Sequence, residues 1–330
     1  MRNSQPFVSI IILNFNGKRF LTECLNSVIN STYSNYEILF VDNCSTDGST
    51  AFINQNYPSV KIIANKENLG FAIANNNASY IARGKYIVFL NCDIRILPET
   101  ISKLVEGMER DPTVGICACK IMSYDGKSYF HTGIGIDIYG YPMARGGVFY
   151  SEGSCLMIRE TLFHEIGGFD VKYFMFHEDI DLAWRVWLIG YKVVPIPEAI
   201  VCHWYGGIAG GGIEKGKYTS TLFRRYLSER NNIRTILKNY SLKTLLTILP
   251  RYMMINFGEI SLFSVSLQFK VTLCYLKAYW WNIINLRDTL ESRGQINQRR
   301  RVSDKEIMKK MYKGSGKLLN FRKVGFPRFE

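Results

Sequence analysis

The sequence predicts an α/β protein in which helices flank a mainly parallel sheet, with a basic helical region towards the C-terminal end. Strand-like apolar runs alternate with segments of helical periodicity through the first two-thirds of the chain, as in doubly wound sheets. The charge then changes sign: residues 1–214 carry 17 Lys and Arg against 21 Asp and Glu, whereas residues 215–330 carry 24 against 7. We therefore expect two domains, residues 1–215 and residues 216–330.

The composition indicates a folded globular chain. Hydrophobic residues make up 47% and charged residues 21% of the 330 positions, which excludes an intrinsically disordered protein. The apolar run Val8–Leu13 is too short for a signal peptide, and no uncharged run is long enough to predict a plain transmembrane helix. The eight cysteines form no C-x-x-C pair, so we expect reduced and mostly buried thiols.

The predicted elements alternate in order along the chain. Each predicted strand is a short apolar run, and each predicted helix repeats apolar residues every three or four positions. The predicted strands are 8–13, 37–41, 60–63, 86–90, 114–119 and 191–194, and the predicted helices are 18–29, 71–82, 159–166 and a segment beginning near 178. Residues 124–143 lack a clear period and predict a hairpin or an irregular insertion.

Polar clusters follow the first four predicted strands, at Asn14–Gly17, Asp42–Ser49, Asn65–Phe71 and Asn91–Asp93. Because the carboxyl ends of parallel strands meet at one edge of a sheet, these clusters predict a ligand site there. Side chains alternate along a strand, so Asn91 and Asp93 are expected to project together. A carboxylate and an amide in that position are suited to a hard cation that in turn binds phosphates.

A second acidic cluster begins the helix near residue 178. Acids in the first turn of a helix are favoured by its dipole, which explains one such residue without any function. Glu178, Asp179 and Asp181 instead follow an approach rich in Tyr, Phe and Met, which predicts a carboxylate directed into a pocket. His203 follows the last predicted strand, and the glycine-rich run Gly206–Gly212 is expected to form a mobile lid.

Two nucleotide-binding motifs are excluded. No G-x-G-x-x-G follows the first strand, which argues against a dinucleotide cofactor. The run Gly211–Lys217 approaches a phosphate-binding P-loop, but Tyr218 replaces the required Ser or Thr and no strand precedes the run.

Taken together, these motifs resemble family 2 glycosyltransferases with the GT-A fold, particularly their rhamnosyltransferase-like members. The resemblance covers Val8–Gly207 and rests on several motifs in order. They are VSIIILNFNG, VDNCSTDGS, NLGFAIANN, FLNCD, GGFDxxYFMFxEDxDLxxR and HWYGG.

The resemblance implies a donor site, a metal site and a base. Asp42 would recognise the pyrimidine ring of a UDP- or dTDP-sugar, and Asp179 would be the catalytic base, with Glu178 as its substitute. The donor site would also include Asn14, Phe15, Asn16, Asn43, Asn68, Asn75, Asn91 and Asp93. His203 would complete the metal site, and Asp181, Trp204 and Tyr205 would contact the acceptor, a glycan or a lipid-linked saccharide. The insertion Tyr124–Tyr150 would shape the acceptor pocket.

One residue departs from the family pattern. The first acid of the D-x-D metal motif is Asn91 here, so one negative charge is missing beside Asp93. An amide oxygen still binds a hard cation, though more weakly than a carboxylate, and we expect Mg²⁺ or Mn²⁺. A single base with in-line attack predicts inversion at the anomeric carbon.

The C-terminal region combines apolar helices, a Tyr-Trp-Trp cluster at 279–281 and its excess of positive charge. This combination favours an amphipathic anchor on an anionic membrane, with the enzyme cytoplasmic and peripheral on the inner face. The alternative is a helical pair packed on the catalytic domain or on another subunit, and the oligomeric state stays open.

Two other classes of protein share some of these sequence features. A nucleotidyltransferase also binds nucleotides on a doubly wound sheet, but the early glycine-rich, Arg-bearing phosphate loop expected there is absent. A nucleic-acid-binding protein would use the basic C-terminal region and would bind in a salt-sensitive manner. It leaves the acids at 178–181 unexplained, so we expect no nucleic-acid partner.

Overall fold

The computed structural model describes residues 5–143, 147–204, 212–214, 217–325 and 328–329. The chain forms two compact units. The first unit comprises Met1–Gly133, Tyr150–Val186 and Tyr191–Tyr205, and the second comprises Ile134–Phe149, Trp187–Gly190 and Gly206–Glu330. The main division therefore falls at residue 205, near the predicted boundary at 215. Two short segments inside the predicted first domain belong to the second unit.

The elements are numbered in chain order. The strands are β1 (Val8–Asn14), β2 (Tyr36–Asp42), β3 (Lys61–Ala64), β4 (Tyr86–Asn91), β5 (Ile94–Ile96), β6 (Val114–Ser123), β7 (Tyr129–Thr132), β8 (Gly135–Ile136), β9 (Pro142–Met143), β10 (Cys155–Arg159), β11 (Lys192–His203), β12 (Gly212–Glu214), β13 (Lys217–Ser220) and β14 (Arg328–Phe329). The helices are α1 (Lys18–Ile29), α2 (Ser49–Asn56), α3 (Gly70–Ser79), α4 (Thr100–Arg110), α5 (Glu160–Glu165), α6 (Glu178–Leu188), α7 (Leu222–Asn239), α8 (Leu242–Val265), α9 (Phe269–Ile284), α10 (Leu286–Arg299), α11 (Asp304–Met308) and α12 (Gly316–Val324).

A large sheet forms the centre of the first unit. Within the described residues its order is β3-β2-β1-β4-β10-β6-β11-β5, with β7 paired to β6. The half from β3 to β4 is parallel, whereas β10 runs antiparallel to both β4 and β6. The predicted α/β class with helices flanking the sheet is confirmed, and the sheet as a whole is mixed.

The register brings the polar clusters to one edge of this sheet. Asn14 at the end of β1 lies opposite Asp42 at the end of β2, and Leu13 lies opposite Asn91 at the end of β4. Because β10 is antiparallel, its first residues also reach this edge, where the Asn91 N–H donates to the Ser154 carbonyl at 2.9 Å. Four chain segments thus meet where the sequence predicted a ligand site.

Helix α1 shows why the sequence folds as it does around β1. Its apolar residues recur every three or four positions, so Leu21, Leu25 and Val28 share one face and are buried against the sheet core. Burying each such side chain contributes about 1.5–3 kcal/mol, enough to fix the helix on the sheet. The predicted bounds of this helix, 18–29, are confirmed.

The second unit contains the helices from α7 to α12 and short strand pairs. Helix α7 begins at Leu222, because Lys217–Ser220 pairs as a strand and Thr221 caps the helix. The Thr221 hydroxyl accepts the N–H of Arg224 at 3.1 Å. No helix within the described part of the chain combines the length and the apolar character needed to cross a membrane.

Candidate active site

The ends of β1 and β2 form the first part of the site. Asp42 is only 3% exposed, and its two oxygens accept the Asn14 side-chain amide at 2.9 Å and the Ser45 N–H at 3.0 Å. A carboxylate oxygen can accept two hydrogen bonds. Each Asp42 oxygen accepts one within the protein, so each can accept one more from a ligand. The Asn14 Oδ1 is buried and accepts no hydrogen bond within the described residues. Asp42 thus supplies acceptors that a nucleotide base could satisfy, while Asn14, which is 0% exposed, orients the Asp42 carboxylate.

Asn43 corrects one expectation. Its amide donates to Asn68 Oδ1 at 2.7 Å and to the Gly70 carbonyl at 3.2 Å, while its oxygen accepts from Asn65 and from the Leu69 N–H. All of its hydrogen-bonding positions are therefore used within the protein. Asn43 holds the turn after β3 in shape and is not available to line the donor pocket.

The other predicted donor residues lie around this turn and the one before α1. Asn16 is exposed; its backbone N–H donates to Ser45 Oγ, and its Oδ1 accepts the Thr46 N–H. Phe15 and Asn91 are half-buried. Asn68 is exposed at the turn after β3. Asn75 is buried in α3, where its amide donates to the Phe71 carbonyl, so it lies behind the pocket surface.

Gly17 allows the first and fourth polar clusters to approach each other. A Cβ at this position would lie 2.4 Å from Cys92 Sγ and 2.6 Å from Asn14 Oδ1. Cys92 is buried, and burial followed by the nearby charge of Asp93 raises the pKa of its thiol far above the usual value. Cys92 therefore stays a neutral packing group.

Asp93 and His203 form the centre of the site. Both are largely buried, and His203 Nε2 lies 3.5 Å from Asp93 Oδ1. Glu152 extends this pair, because its Oε2 lies 3.9 Å from His203 Nδ1 and 3.6 Å from His131 Nε2. Burial lowers the pKa of His203, but the adjacent Asp93 and Glu152 outweigh it, so the net shift is upward.

The Asp93–His203 pair fits a divalent cation that is shared with a phosphate ligand. Within the described residues, no three His, Cys, Asp or Glu side chains form a complete metal cluster. Mg²⁺ and Mn²⁺ in phosphate-transfer sites take one or two protein ligands and complete their shell with phosphate oxygens and water. A carboxylate and an imidazole 3.5 Å apart meet that requirement.

Asp179 lies beside the same loop. Its Oδ2 accepts the Gly153 N–H at 3.0 Å, and its Oδ1 accepts the Ile180 N–H at 2.8 Å. Burial and the charge of Glu152 raise the pKa of Asp179 to about 7, although these two backbone hydrogen bonds oppose the shift. A carboxylate that ionises near neutral pH is suited to accepting a proton.

The two neighbouring acids behave differently. Glu178 is buried, and burial together with the Asp179 charge raises its pKa well above the usual value, which favours a neutral carboxyl group. Asp181 is 0% exposed and binds Arg185 through both Nε and Nη2 at 2.9 Å. This ion pair corrects the expectation that Asp181 contacts the acceptor, because the side chain has no accessible surface.

The chain before α6 is held in an unusual conformation. Phe176 and His177 both have φ of 68°, in the left-handed region that residues other than glycine rarely adopt. The preceding Phe174 carbonyl accepts the Phe71 N–H at 2.7 Å, and a Cβ on Gly70 would lie 2.4 Å from that carbonyl. The turn after β3 therefore fixes the segment that directs the first turn of α6, including Asp179.

The structure thus brings the predicted site residues together, with stated exceptions. Asn14, Asp42, Asp93, Asp179 and His203 all lie at one edge of the first unit's sheet. Trp204 is half-exposed and packs against the rings of Phe20 and Tyr124. Tyr205 and most of the predicted lid Gly206–Gly212 lie outside the described residues, and Gly212 begins β12.

Two neighbouring residues of the site, Glu152 and Gly153, were not predicted from the sequence. Glu152 approaches both histidines, and the Gly153 N–H binds Asp179, so this loop connects the Asp93–His203 pair to the acidic helix. A Cβ on Gly153 would meet the Phe71 ring at 3.1 Å. The sequence signal was an acid and a glycine directly before an apolar strand, which is too common to single out.

The chain is similar in sequence to known glycosyltransferases. A family model described as glycosyl transferase family 2 matches residues 9–178, just over half of the chain. The N-acetylglucosaminyl-diphospho-decaprenol L-rhamnosyltransferase of Mycobacterium tuberculosis is 27% identical in an alignment 231 residues long, which covers 59% of this chain and 75% of that relative.

Two solved structures share the fold. The first, GalNAc-T7 with UDP, GalNAc and Mn²⁺, has a TM-score of 0.58 at 18% identity over 72% of this chain; the match spans about half, 48%, of GalNAc-T7. The second, the mannosyltransferase PcManGT from Pyrobaculum calidifontis with GDP-Man and Mn²⁺, has a TM-score of 0.54 at 16% identity, over 90% of this chain and 88% of that one. The chain has the GT-A fold and belongs to glycosyl transferase family 2.

Proposed function

We propose that the protein is a metal-dependent, inverting glycosyltransferase that moves a sugar from a nucleotide-diphosphate donor to a hydroxyl group. The observation that carries this proposal is the loop at Glu152 and Gly153, which adjoins the Asp93–His203 pair on one side and Asp179 on the other. This proximity supports our assignment of the Asp93–His203 pair to the donor diphosphate and of Asp179 to the base.

The nucleotide would bind at the ends of β1 and β2. Asp42 has one unused acceptor position on each oxygen, and the buried Asn14 amide holds this carboxylate in place. A pyrimidine presents a ring N–H that such a carboxylate can accept, which supports a UDP- or dTDP-sugar as the donor. Gly17 keeps this pocket open, since any side chain there would collide with Asn14.

The donor diphosphate would lie at Asp93 and His203. A bound Mg²⁺ or Mn²⁺ would supply positive charge there, which offsets the negative charge on the departing diphosphate. Glu152, whose Oε2 lies 3.9 Å from His203 Nδ1, would favour a proton on Nδ1 through its negative charge and so leave Nε2 to the metal. Asn91 would contribute an amide oxygen at most.

Asp179 would accept the proton of the attacking hydroxyl. A hydroxyl group is a weak nucleophile until a base takes its proton, and positioned bases typically contribute about 10²–10⁴-fold to the rate. The Gly153 N–H fixes Oδ2 of this carboxylate, and Glu178 is disfavoured as the base because its pKa shift favours the protonated form. One base on one face of the sugar implies in-line attack and an inverted anomeric product.

The acceptor would be a glycan or a lipid-linked saccharide. The M. tuberculosis relative is named for an N-acetylglucosaminyl-diphospho-decaprenol acceptor and an L-rhamnosyl donor, and we extend only that chemical class to this chain. The predicted peripheral location on the inner membrane face would bring the enzyme to such an acceptor, and it stays a prediction.

The test is a donor screen with the full-length protein. We expect hydrolysis of a UDP- or dTDP-sugar that requires Mn²⁺ or Mg²⁺ and releases the nucleoside diphosphate. With an active acceptor, NMR of the product should show inversion at the anomeric carbon. Release of pyrophosphate would instead indicate a nucleotidyltransferase, and a retained configuration would exclude the single-base mechanism.

A further inference from the structure

The second unit presents an apolar surface to solvent along α8 and α9. On a helix exposed to water, the outward face normally carries polar side chains. Here the outward side chains recur every three or four residues and are large and apolar. We name this surface the apolar hairpin face, and its most informative members are Leu246, Met254, Phe257, Leu273, Leu276 and Trp280.

Helices α8 and α9 form a hairpin, and the turn between them at residues 265–269, its tip, exposes the most apolar area. Val265 is 82% and Leu267 is 74% exposed, and Phe269 begins α9 beside them. Leu267 has φ of 57°, at a helix end where glycine is usual, and its N–H donates to the Ser264 carbonyl at 3.1 Å. A leucine in this conformation is less stable than a glycine would be. Exposure of its apolar side chain to water does not offset that loss of stability.

The charges on the two helices have one sign. Lys243, Arg251, Lys270 and Lys277 are exposed, whereas the one acid between residues 242 and 284, Glu259, is held by Lys317 at 2.8 Å. Lys270 and Lys277 also border a groove of about 480 Å³, whose other walls are mostly apolar. Cations beside apolar and aromatic side chains fit the interface of an anionic bilayer.

A second copy of the chain fits this surface less well. Two-fold pairing through this surface would bring Lys270 and Lys277 of both copies into one interface, with no exposed acid on either helix to balance them. Lipid phosphates supply the missing negative charge, and acyl chains accept the apolar side chains. Since no described helix is suited to cross a bilayer, the hairpin would lie in the interface.

We propose that the apolar hairpin face docks on an anionic phospholipid membrane, with Val265, Leu267 and Phe269 inserted and Lys270 and Lys277 on lipid phosphates. This contact needs neither a donor nor an acceptor, so its test is independent of the proposed enzymatic activity.

The first experiment is flotation of the full-length protein with phosphatidylcholine vesicles, with and without phosphatidylglycerol. We expect binding that needs the anionic lipid and weakens at high salt. Lys270→Ala together with Lys277→Ala should lower the partition coefficient by about ten-fold or more. Exposed Lys61 on β3 provides a matched control, because Lys61→Ala should leave the partition coefficient unchanged.

The second experiment tests insertion at the tip. Leu267→Gly relieves the left-handed conformation, so it should fold at least as well as the wild type. Combined with Val265→Ser, it should lower the partition coefficient about ten-fold or more, since two apolar side chains are lost. Ile29→Ser removes an exposed apolar side chain from α1 and should have no effect.

Depth is measured with brominated lipids. Trp280 is 64% exposed, so its fluorescence should shift to the blue and be quenched on binding, and Trp280→Phe should remove that component. The proposal is wrong if the protein fails to bind anionic vesicles at low salt, or if the tip variant binds them as well as the wild type. It is equally wrong if the tip variant abolishes self-association while vesicle binding is unchanged, because the face would then be a subunit interface.

Discussion

Two carboxylates, Asp179 in the first unit and Glu259 in the second, have opposite pKa shifts. In the first unit, burial and the negative charge of Glu152 both raise the pKa of Asp179, to about 7. In the second unit burial would likewise raise the pKa of Glu259, but Lys317 and Arg225 lower it to about 2. Asp179 is therefore left reactive, whereas Glu259 is neutralised by its neighbouring cations.

The two units also differ in the side chains that they present at their surfaces. The first unit places polar side chains such as Asp42 and Asp93 at the strand ends, where hydrogen-bonding positions stay available to a ligand. The second unit buries its ion pairs in α7, α8 and α12 and leaves the apolar hairpin face outside. Unused polar positions mark a site for chemistry, whereas saturated ion pairs mark architecture.

The largest effect is expected where the reactive charge is removed. Asp179→Asn should lower kcat by about 10²–10⁴-fold, the usual contribution of a positioned base, while donor binding measured by calorimetry stays nearly unchanged. Glu178→Gln is the matched control and should lose far less activity. If Asp179→Asn weakens donor binding as much as it slows turnover, then Asp179 has a structural role.

The corresponding break in the second unit is Lys317→Met. The Lys317 ammonium contacts Glu229 at 2.7 Å and Glu259 at 2.8 Å, so its loss leaves buried carboxylates underneutralised and should cost about 3–5 kcal/mol of unfolding free energy. Thermal unfolding measures this loss. Lys309→Met removes an exposed pair with Glu306 and should cost less than about 1 kcal/mol. Equal effects of the two variants would contradict the distinction between buried and exposed ion pairs.

A smaller effect is expected from Glu152→Gln. If Glu152 orients His203, its neutral replacement should weaken Mn²⁺ binding in the presence of nucleoside diphosphate by about 10–100-fold. Electron paramagnetic resonance of free Mn²⁺ reports this affinity without requiring turnover. An unchanged Mn²⁺ affinity would assign Glu152 to packing alone.

The pH dependence sharpens the comparison further. A base with a pKa of about 7 must be ionised to act, so kcat/KM should rise with pH and level off above about pH 7. The folded state also holds this proton more tightly than the unfolded chain, so ionising Asp179 costs stability as the pH rises from about 4 to 7. Asp179→Asn should therefore be more stable than the wild type, by a margin that grows up to pH 7.

The lowered pKa of Glu259 predicts the reverse. Its ion pairs contribute stability that is fully present above the unfolded pKa of about 4.3 and is lost as the pH falls towards 2. The stability difference between the wild type and Lys317→Met should accordingly shrink in acid. A difference that is independent of pH would show that Lys317 acts through packing.

The sequence by itself determined the strand ends and the residues placed there. Local periodicity fixed α1 and the strand before Asn91, and the alternation of elements fixed the edge at which Asn14, Asp42 and Asp93 meet. These features depend on neighbours along the chain and on the geometry of parallel strands, so a sequence pattern carries them.

Only the tertiary structure decided which polar residues are free to react. Asn43 and Asp181 resemble their neighbours in sequence, yet one is saturated by the turn after β3 and the other by Arg185. Glu152 and Gly153 reach the site because β10 runs antiparallel to β4. Hydrogen-bond saturation, burial and the pKa shifts that follow depend on contacts between residues distant along the chain, and no local pattern records them.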